Sequence, residues 1–348
     1  MPTNHGTSIP QAPTMDKGRK SLMQLGERKK ASLAVADRLL DLCKVGHGYR
    51  YIYAKRAERM RSCGTWMEAA RMQDGKFVVV RANWCRDRLC PMCAWRRSRR
   101  NAIALQRAVD YRKQQRPDGR WILVTLTIRN VDSNDIANSL DILVHAWDNL
   151  RHRREWERCF IGGARSIEIT RNPETGTYHP HLHALLECCD NYYDGEYLTH
   201  SRLLDYWREA VSLFTGIFDW DLRVDIRAAD AGRDAAGSVK EVSKYILKST
   251  PLLESPLEDL DELAAAVHGR RLVAYTGTIR KAMRELAISD EGEQMDDMSE
   301  GREIAVDRVI LRWAEAGSAY YVERQLPPDA DIDAPEDGPT PKIYADLD

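Results

Sequence analysis

The chain has 348 residues, 43% hydrophobic and 30% charged, with a formal net charge of -1. That composition suits a folded chain of one or two domains and excludes a collagen-like or low-complexity polymer. The near-zero charge conceals an asymmetry: Lys and Arg outnumber Asp and Glu 32 to 16 over residues 1–158, leaving 20 against 37 in the remainder. A basic front half followed by an acidic back half points to polyanion binding by the first.

No long uncharged apolar run and no apolar segment behind the N-terminal charges is present, so neither a membrane span nor a secretory signal is expected and the chain is assigned to the cytoplasm. Eight cysteines are too sparse for a disulfide scaffold, and clustered ones in a reducing compartment point to metal.

In chain order, residues 1–30 read as a disordered basic tail. Residues 31–117 read as a helical and zinc-knuckle DNA-binding region. Its first part is a helix running into the basic, aromatic-flecked stretch around Tyr51, Tyr53, Lys55, Arg56, Arg59 and Arg61. A strand is expected at Lys76–Val80. Cys85-Arg86-Asp87-Arg88-Leu89-Cys90-Pro91-Met92-Cys93 follows. With Cys63 upstream, Cys85, Cys90 and Cys93 supply the four thiolates of a closed tetrahedral structural zinc site. Redox-active or merely buried cysteines are the competing reading, and the spacing is not that of a Cys-Cys-His-His finger. Arg96, Arg97, Arg99 and Arg100 open the next helix as candidate phosphate contacts, the sequence-independent share of DNA affinity.

Residues 118–286 carry the alternating elements of a catalytic domain. Trp121–Ile128 is rich in β-branched and aromatic residues and reads as a central strand. An amphipathic helix follows, with Asp132 or Ser133 as cap and Ile136, Leu140, Leu143, Val144, Trp147 and Leu150 at helical spacing. Ala164–Arg171 alternates as a strand, Asn172–Gly176 supplies turn residues, and Tyr178–Leu186 contains His179, His181 and His183 at strand spacing. In a strand, His181 and His183 share one face, and two imidazoles so placed can grip one metal ion; a solvated polar strand face is the alternative. A turn centred between Glu174 and Thr175 sets Glu168 across from His181, with Cβ atoms about 5 Å apart. Glu168, His181 and His183 would then converge as three ligands with positions left open, and a one-residue slip would dissolve the set.

A helix is expected at residues 199–215, a strand at Leu222–Arg227 and a helix at Val239–Lys248. On that helix Glu241, Tyr245 and Lys248 share a face. Alone this reads as a surface carboxylate near a buried tyrosine; beside a metal site it reads as base, nucleophile and phosphate-binding cation. An acidic helix is expected at Leu257–Val267 and another at Ile279–Leu286. Residues 287–326 read as an acidic linker and small hairpin (Arg308–Trp313, Ala319–Arg324), and 327–348 as a disordered acidic tail. The fold class expected is α+β, a mostly antiparallel sheet with packed helices.

Cys-x4-Cys-Pro-x-Cys followed by Trp-Arg, the Leu-Thr-Leu-Thr-like strand at Val124–Thr127, His-Pro-His-x-His and Glu-x3-Tyr-x2-Lys occur here in one order. Over about Cys63 to Leu286 the chain thereby resembles the rolling-circle plasmid replication initiators of the single-tyrosine class, within the HUH endonuclease superfamily. The resemblance implies a relaxase-type, ferredoxin/RRM-like fold, with His181 and His183 as the metal pair, Mg or Mn as the ion and Tyr245 as nucleophile. It implies nicking of single-stranded origin DNA through a 5′-phosphotyrosine, leaving a 3′-OH primer. A carboxylate at Glu241, where two-tyrosine relatives carry a second tyrosine, can activate water to end the cycle. Origin DNA, a host helicase and a homodimer are the expected partners. A transposase or mobilisation relaxase of the same superfamily, or a non-catalytic zinc-containing DNA-binding regulator, are the alternatives.

Overall fold

The computed structural model describes residues 14–45, 50–195, 197–218, 220–229, 233–243, 249–288 and 305–327. Its elements in chain order are α1 (Thr14–Lys44), α2 (Arg50–Ser62), β1 (Trp66–Met72), β2 (Phe77–Ala82), α3 (Pro91–Gln115), β3 (Trp121–Thr127), α4 (Ile136–Arg151), α5 (Arg154–Cys159), β4 (Phe160–Arg171), β5 (Tyr178–Cys188), α6 (His200–Thr215), β6 (Val224–Ala228), α7 (Arg233–Val242), α8 (Ser249–Glu254), α9 (Leu257–Val267), β7 (Val273–Thr276), α10 (Gly277–Glu285), β8 (Ala305–Ala314) and β9 (Ala319–Leu326). The class is α+β, as expected. They divide into two units: residues 1–36, 58–85 and 296–348 form one, and residues 37–57 and 86–295 the other. No described helix is long and apolar enough to cross a membrane.

The first unit is built on an antiparallel sheet in the order β2-β1-β8-β9. The C-terminal hairpin is therefore not an appendage but half of this sheet. Glu68, in the middle strand, is fully buried, and the Arg308 guanidinium donates to it at 2.9 Å from Nε, so the charge is compensated where water is excluded. Residues 14–30 depart from expectation, since they are the first half of α1. Leu25, Lys29, Ser32 and Val35 form its buried side, and Lys29 Nζ donates to the carbonyl of Cys63 at 2.8 Å. A helix that buries Gly26, a lysine and a serine on its inner side does not display the apolar stripe by which sequence reading recognises one. Residues 289–304 of the expected linker, and all of the expected tail but its first residue, lie outside the described residues.

The second unit is built on a five-stranded antiparallel sheet in the order β6-β3-β5-β4-β7. β5 lies at its centre, between β3 and β4. On one face, Leu105, Ala108 and Val109 of α3, Val239 and Val242 of α7, and Ile279, Ala282 and Met283 of α10 pack against Trp121, Leu123, Ala164 and Leu185. On the opposite face Leu126, Ile167, Leu182 and Ala184 are buried, and α4 packs against β5 with α6 and α9 alongside. The close approach of β4 to α10 depends on glycine. A Cβ on Gly277, whose φ is +50°, would meet the Ile161 carbonyl at 2.1 Å, so no other residue fits without moving backbone.

Candidate active site and metal centres

The two histidines sit where β5 lies between its neighbours. Thr125 pairs with His183 and Thr127 with His181 on the β3 side; Ser166 pairs with His183 and Glu168 with His181 on the β4 side. The register that the Asn172–Gly176 turn implies is the one found. Asn172 caps that turn through its side-chain oxygen, which accepts from the Glu174 amide at 2.9 Å, and Gly176 takes the left-handed conformation, φ +75°, that closes it.

Side chains across this register meet on the diagonal. Glu168 Oε2 lies 3.4 Å from His183 Nε2, while Nε2 of His181 lies 3.0 Å from Thr170 Oγ1. In a twisted antiparallel pair, diagonal neighbours are within reach of long side chains. From α7, Glu241 Oε1 comes within 3.8 Å of the same His183 Nε2. Potential donor atoms of Glu168, His183 and Glu241 thus lie within 4.8 Å of one another. His181 stands beside this group, its ring centroid 5.8 Å from that of His183. The third ligand expected beside Glu168 and His183 is His181; the group that converges is instead Glu168, His183 and Glu241, with His181 next to them.

His183 is 7% exposed, and its Nδ1 is 3.1 Å from Thr125 Oγ1. Its Nε2 makes no hydrogen bond among the described residues, although two carboxylates face it. When Nδ1 carries the proton, the Nε2 lone pair points at two anionic groups, an arrangement that a divalent cation satisfies. One imidazole and two carboxylates are donors that both Mn and Mg accept, so the residues fit the ion expected.

The flanks of the site are held tightly. Nδ1 of His179 bonds the Asn130 side-chain oxygen, and the His179 and His181 rings are 4.4 Å apart. Burial, with Arg223 nearby, holds the His179 pKa below its ordinary value. The Tyr178 hydroxyl donates to Asp259 Oδ2 at 2.8 Å, and burial, reinforced by that carboxylate, pushes its pKa up to about 12. Farther along the histidine face of β5, Glu187 is 1% exposed. It accepts from Arg112 at 3.0 and 3.1 Å, from Arg116 at 2.7 Å and from Thr278 at 2.5 Å. Burial by itself would raise the Glu187 pKa, but these donors outweigh it and hold the carboxyl below its ordinary value. The sequence reading missed Thr125, Thr170 and Glu187; continuing the two-residue period of His181 and His183 reaches Glu187, the signal that was available.

Tyr245 and Lys248 lie outside the described residues. The described part of their expected helix is α7, which ends at Val242, and the Ser243 carbonyl accepts a bond from Ser98 Oγ of α3.

Cys63, Cys85, Cys90 and Cys93 are all buried. In the first unit the Cys85 amide donates to Cys63 Sγ at 3.4 Å, and in the second Cys90 and Cys93 flank the start of α3. Arg86, in the left-handed region at φ 60°, turns the chain after Cys85. Arg56 grips Asp87 through two bonds, at 2.7 and 2.9 Å. Of the four arginines that open α3, Arg96 is 1% exposed, and Arg97 donates to the Asp87 carbonyl at 3.2 Å and to that of Arg86. Arg97, Arg99 and Arg100 are part-exposed.

The replication protein family model matches residues 76–321. A replication protein ("Protein rep") of Streptococcus pneumoniae serotype 2 is 28% identical over 310 residues, covering 86% of this chain and 91% of its own. One from Bacillus sp is 32% identical over 267 residues, 71% of this chain and 85% of its own. One from Bacillus amyloliquefaciens is 30% identical over 285 residues, 76% and 82% respectively. No solved structure matches.

Proposed function

Because the chain belongs to the replication protein family, we propose that it initiates plasmid rolling-circle replication by nicking single-stranded origin DNA, with Tyr245 as the nucleophile. The observation that supports this reading best is the convergence of Glu168, His183 and Glu241 on one point beside His181. Glu168 and His183, with Glu241 or His181 completing the set, would hold the divalent ion. When bound, that ion supplies positive charge to a non-bridging oxygen of the scissile phosphate.

The Tyr245 phenol, with an ordinary pKa of about 10, gives up its proton to solvent as its oxygen attacks. The Tyr245 Oη–P bond forms while the bond from phosphorus to the 3′ oxygen breaks. That oxygen takes a proton and becomes the 3′-OH primer, and the 5′-phosphate stays on Tyr245. Lys248 pairs with the phosphate charge, and positioning of the two reactants contributes as much as acidity does. In the terminating step Glu241 takes a proton from water, which attacks the phosphotyrosine and releases the enzyme. Arg99 and Arg100 add sequence-independent contacts to DNA, the four cysteines hold a structural zinc, and a host helicase and a second copy of the chain are the partners expected.

The test is incubation with Mn and a single-stranded origin oligonucleotide labelled at its 3′ end. A labelled covalent adduct is expected from the wild type and none from Tyr245→Phe. An adduct that persists in Tyr245→Phe, or none from the wild type, sinks the reading. Glu241→Ala is expected to nick but to release poorly, and unchanged hydrolysis removes its terminating role.

A further inference from the structure

Next to the histidine strand the second unit holds a cavity of about 430 Å³, lined by Thr127, Arg129, Asn130, His179, Asp221 and Arg223, with Ile128 behind them. Its size falls within the range of small-ligand pockets, about 300–1,000 Å³. Its position follows from the sheet: Thr127 pairs with His181, and the His179 ring is 4.4 Å from the His181 ring. The cavity therefore opens beside the side chains proposed to hold the divalent ion.

Its walls are fixed in advance. The Thr127 amide donates to the Arg223 carbonyl at 2.9 Å, and the Arg223 amide donates to Thr127 Oγ1 at 3.2 Å, so the segment before β6 is pinned to the end of β3. The Arg129 guanidinium lies over the Trp220 ring, 4.7 Å from its centroid. Asn130 is held at both ends, its oxygen by His179 and its Nδ2 donating to Thr177 Oγ1 at 3.2 Å.

The chemistry of the wall selects the ligand. Arg129 and Arg223 are exposed cations suited to a phosphate diester. Asp221, 3.7 Å from Arg223, opposes a bare anion but accepts hydrogen bonds from an amino group. Phosphate and amino-bearing ring together describe a nucleotide. We propose that this cavity seats one nucleotide of single-stranded DNA adjoining the scissile phosphate, with its phosphate on Arg129 and Arg223 and its base edge on Asp221 and His179. This assignment rests on the nicking reading for the identity of the strand, and it is tested without relying on cleavage.

The probe is a fluorescein-labelled single-stranded 12-mer of mixed sequence, titrated by anisotropy with the full chain without added Mn or Mg at several salt concentrations. The Arg129→Ala, Arg223→Ala double variant is expected to bind about tenfold more weakly, and its salt slope to fall by about 1.4, since each single-strand phosphate contributes about 0.7. Both side chains are exposed, so its Tm should match the wild type; if it does not, Arg129→Gln and Arg223→Gln are measured singly, each expected to lower the slope by about 0.7. Wild-type affinity and slope in these variants overturn the proposal. So does an equal loss of affinity for a duplex of the same length, because the cavity takes an unpaired nucleotide. If the variants lose affinity but the wild type never forms the adduct described above, only the nicking reading falls. If the adduct forms and the variants bind normally, only the cavity assignment falls.

Discussion

Glu241 on α7 holds a carboxylate oxygen 3.8 Å from Nε2 of His183 on β5, opposite Glu168 at 3.4 Å. Two carboxylates aimed at one imidazole nitrogen repel each other unless a cation or a proton lies between them. This geometry puts the Glu241 carboxylate where a cation held by Glu168 and His183 would meet it.

His183→Ala is therefore expected to abolish Mn uptake at this site, and Glu241→Gln to weaken it about tenfold, at the lower end of the losses seen when groups around a metal are altered. Isothermal titration calorimetry with Mn reads both. Wild-type affinity in Glu241→Gln would place its carboxylate outside the coordination shell and restrict it to work on water.

The cysteine group leads to a separate expectation. Protein purified under reducing conditions should carry about one zinc per chain, and Cys90→Ser or Cys93→Ser should lose it together with thermal stability, because structural zinc contributes its binding energy to folding. Metal analysis and a melting curve measure these. Zinc-free wild-type protein whose buried thiols are all titratable in the folded state would end the assignment.

Glu187 makes acid stability predictable. Its carboxyl is held below the ordinary value despite burial, chiefly by Arg112, then Thr278 and Arg116. A depressed folded-state pKa contributes stability that is fully present above the unfolded-state carboxyl range, near 4.5, and is lost as pH falls through the lower folded value. Glu187→Gln should cost about 3 kcal/mol at pH 7, by leaving Arg112 and Arg116 without their buried carboxylate, and should flatten the fall in stability below pH 4.5. Urea unfolding at pH 7 and at acid pH tests this; a variant as stable as the wild type at pH 7 would show that the two arginines find other partners.

Much of the second unit was legible because its elements carry local signals. The β-branched run of Trp121–Thr127, the Asn172–Gly176 turn and the helical spacing of α4, α6 and α9 each specify their element within a few residues. Strand β1 was not legible. Its first five residues are all buried, so Met-Glu-Ala-Ala shows no alternation, and its partner β8 comes from the far end of the chain. The first half of α1 escaped recognition for a related reason, since Lys29 is buried in it as a hydrogen-bond donor rather than as an apolar group.

For the site, the sequence by itself determined the β4–β5 hairpin and hence the pairing of Glu168 with His181, because a short turn fixes register and a two-residue period fixes the face. It also determined which cysteines are near enough in spacing to act together. Only the tertiary structure decided that Glu168 leans to His183, that His181 turns to Thr170, and that α7 brings Glu241 over them. Sheet twist and helix packing set those distances, and both depend on contacts between residues far apart in the chain, which no local pattern encodes.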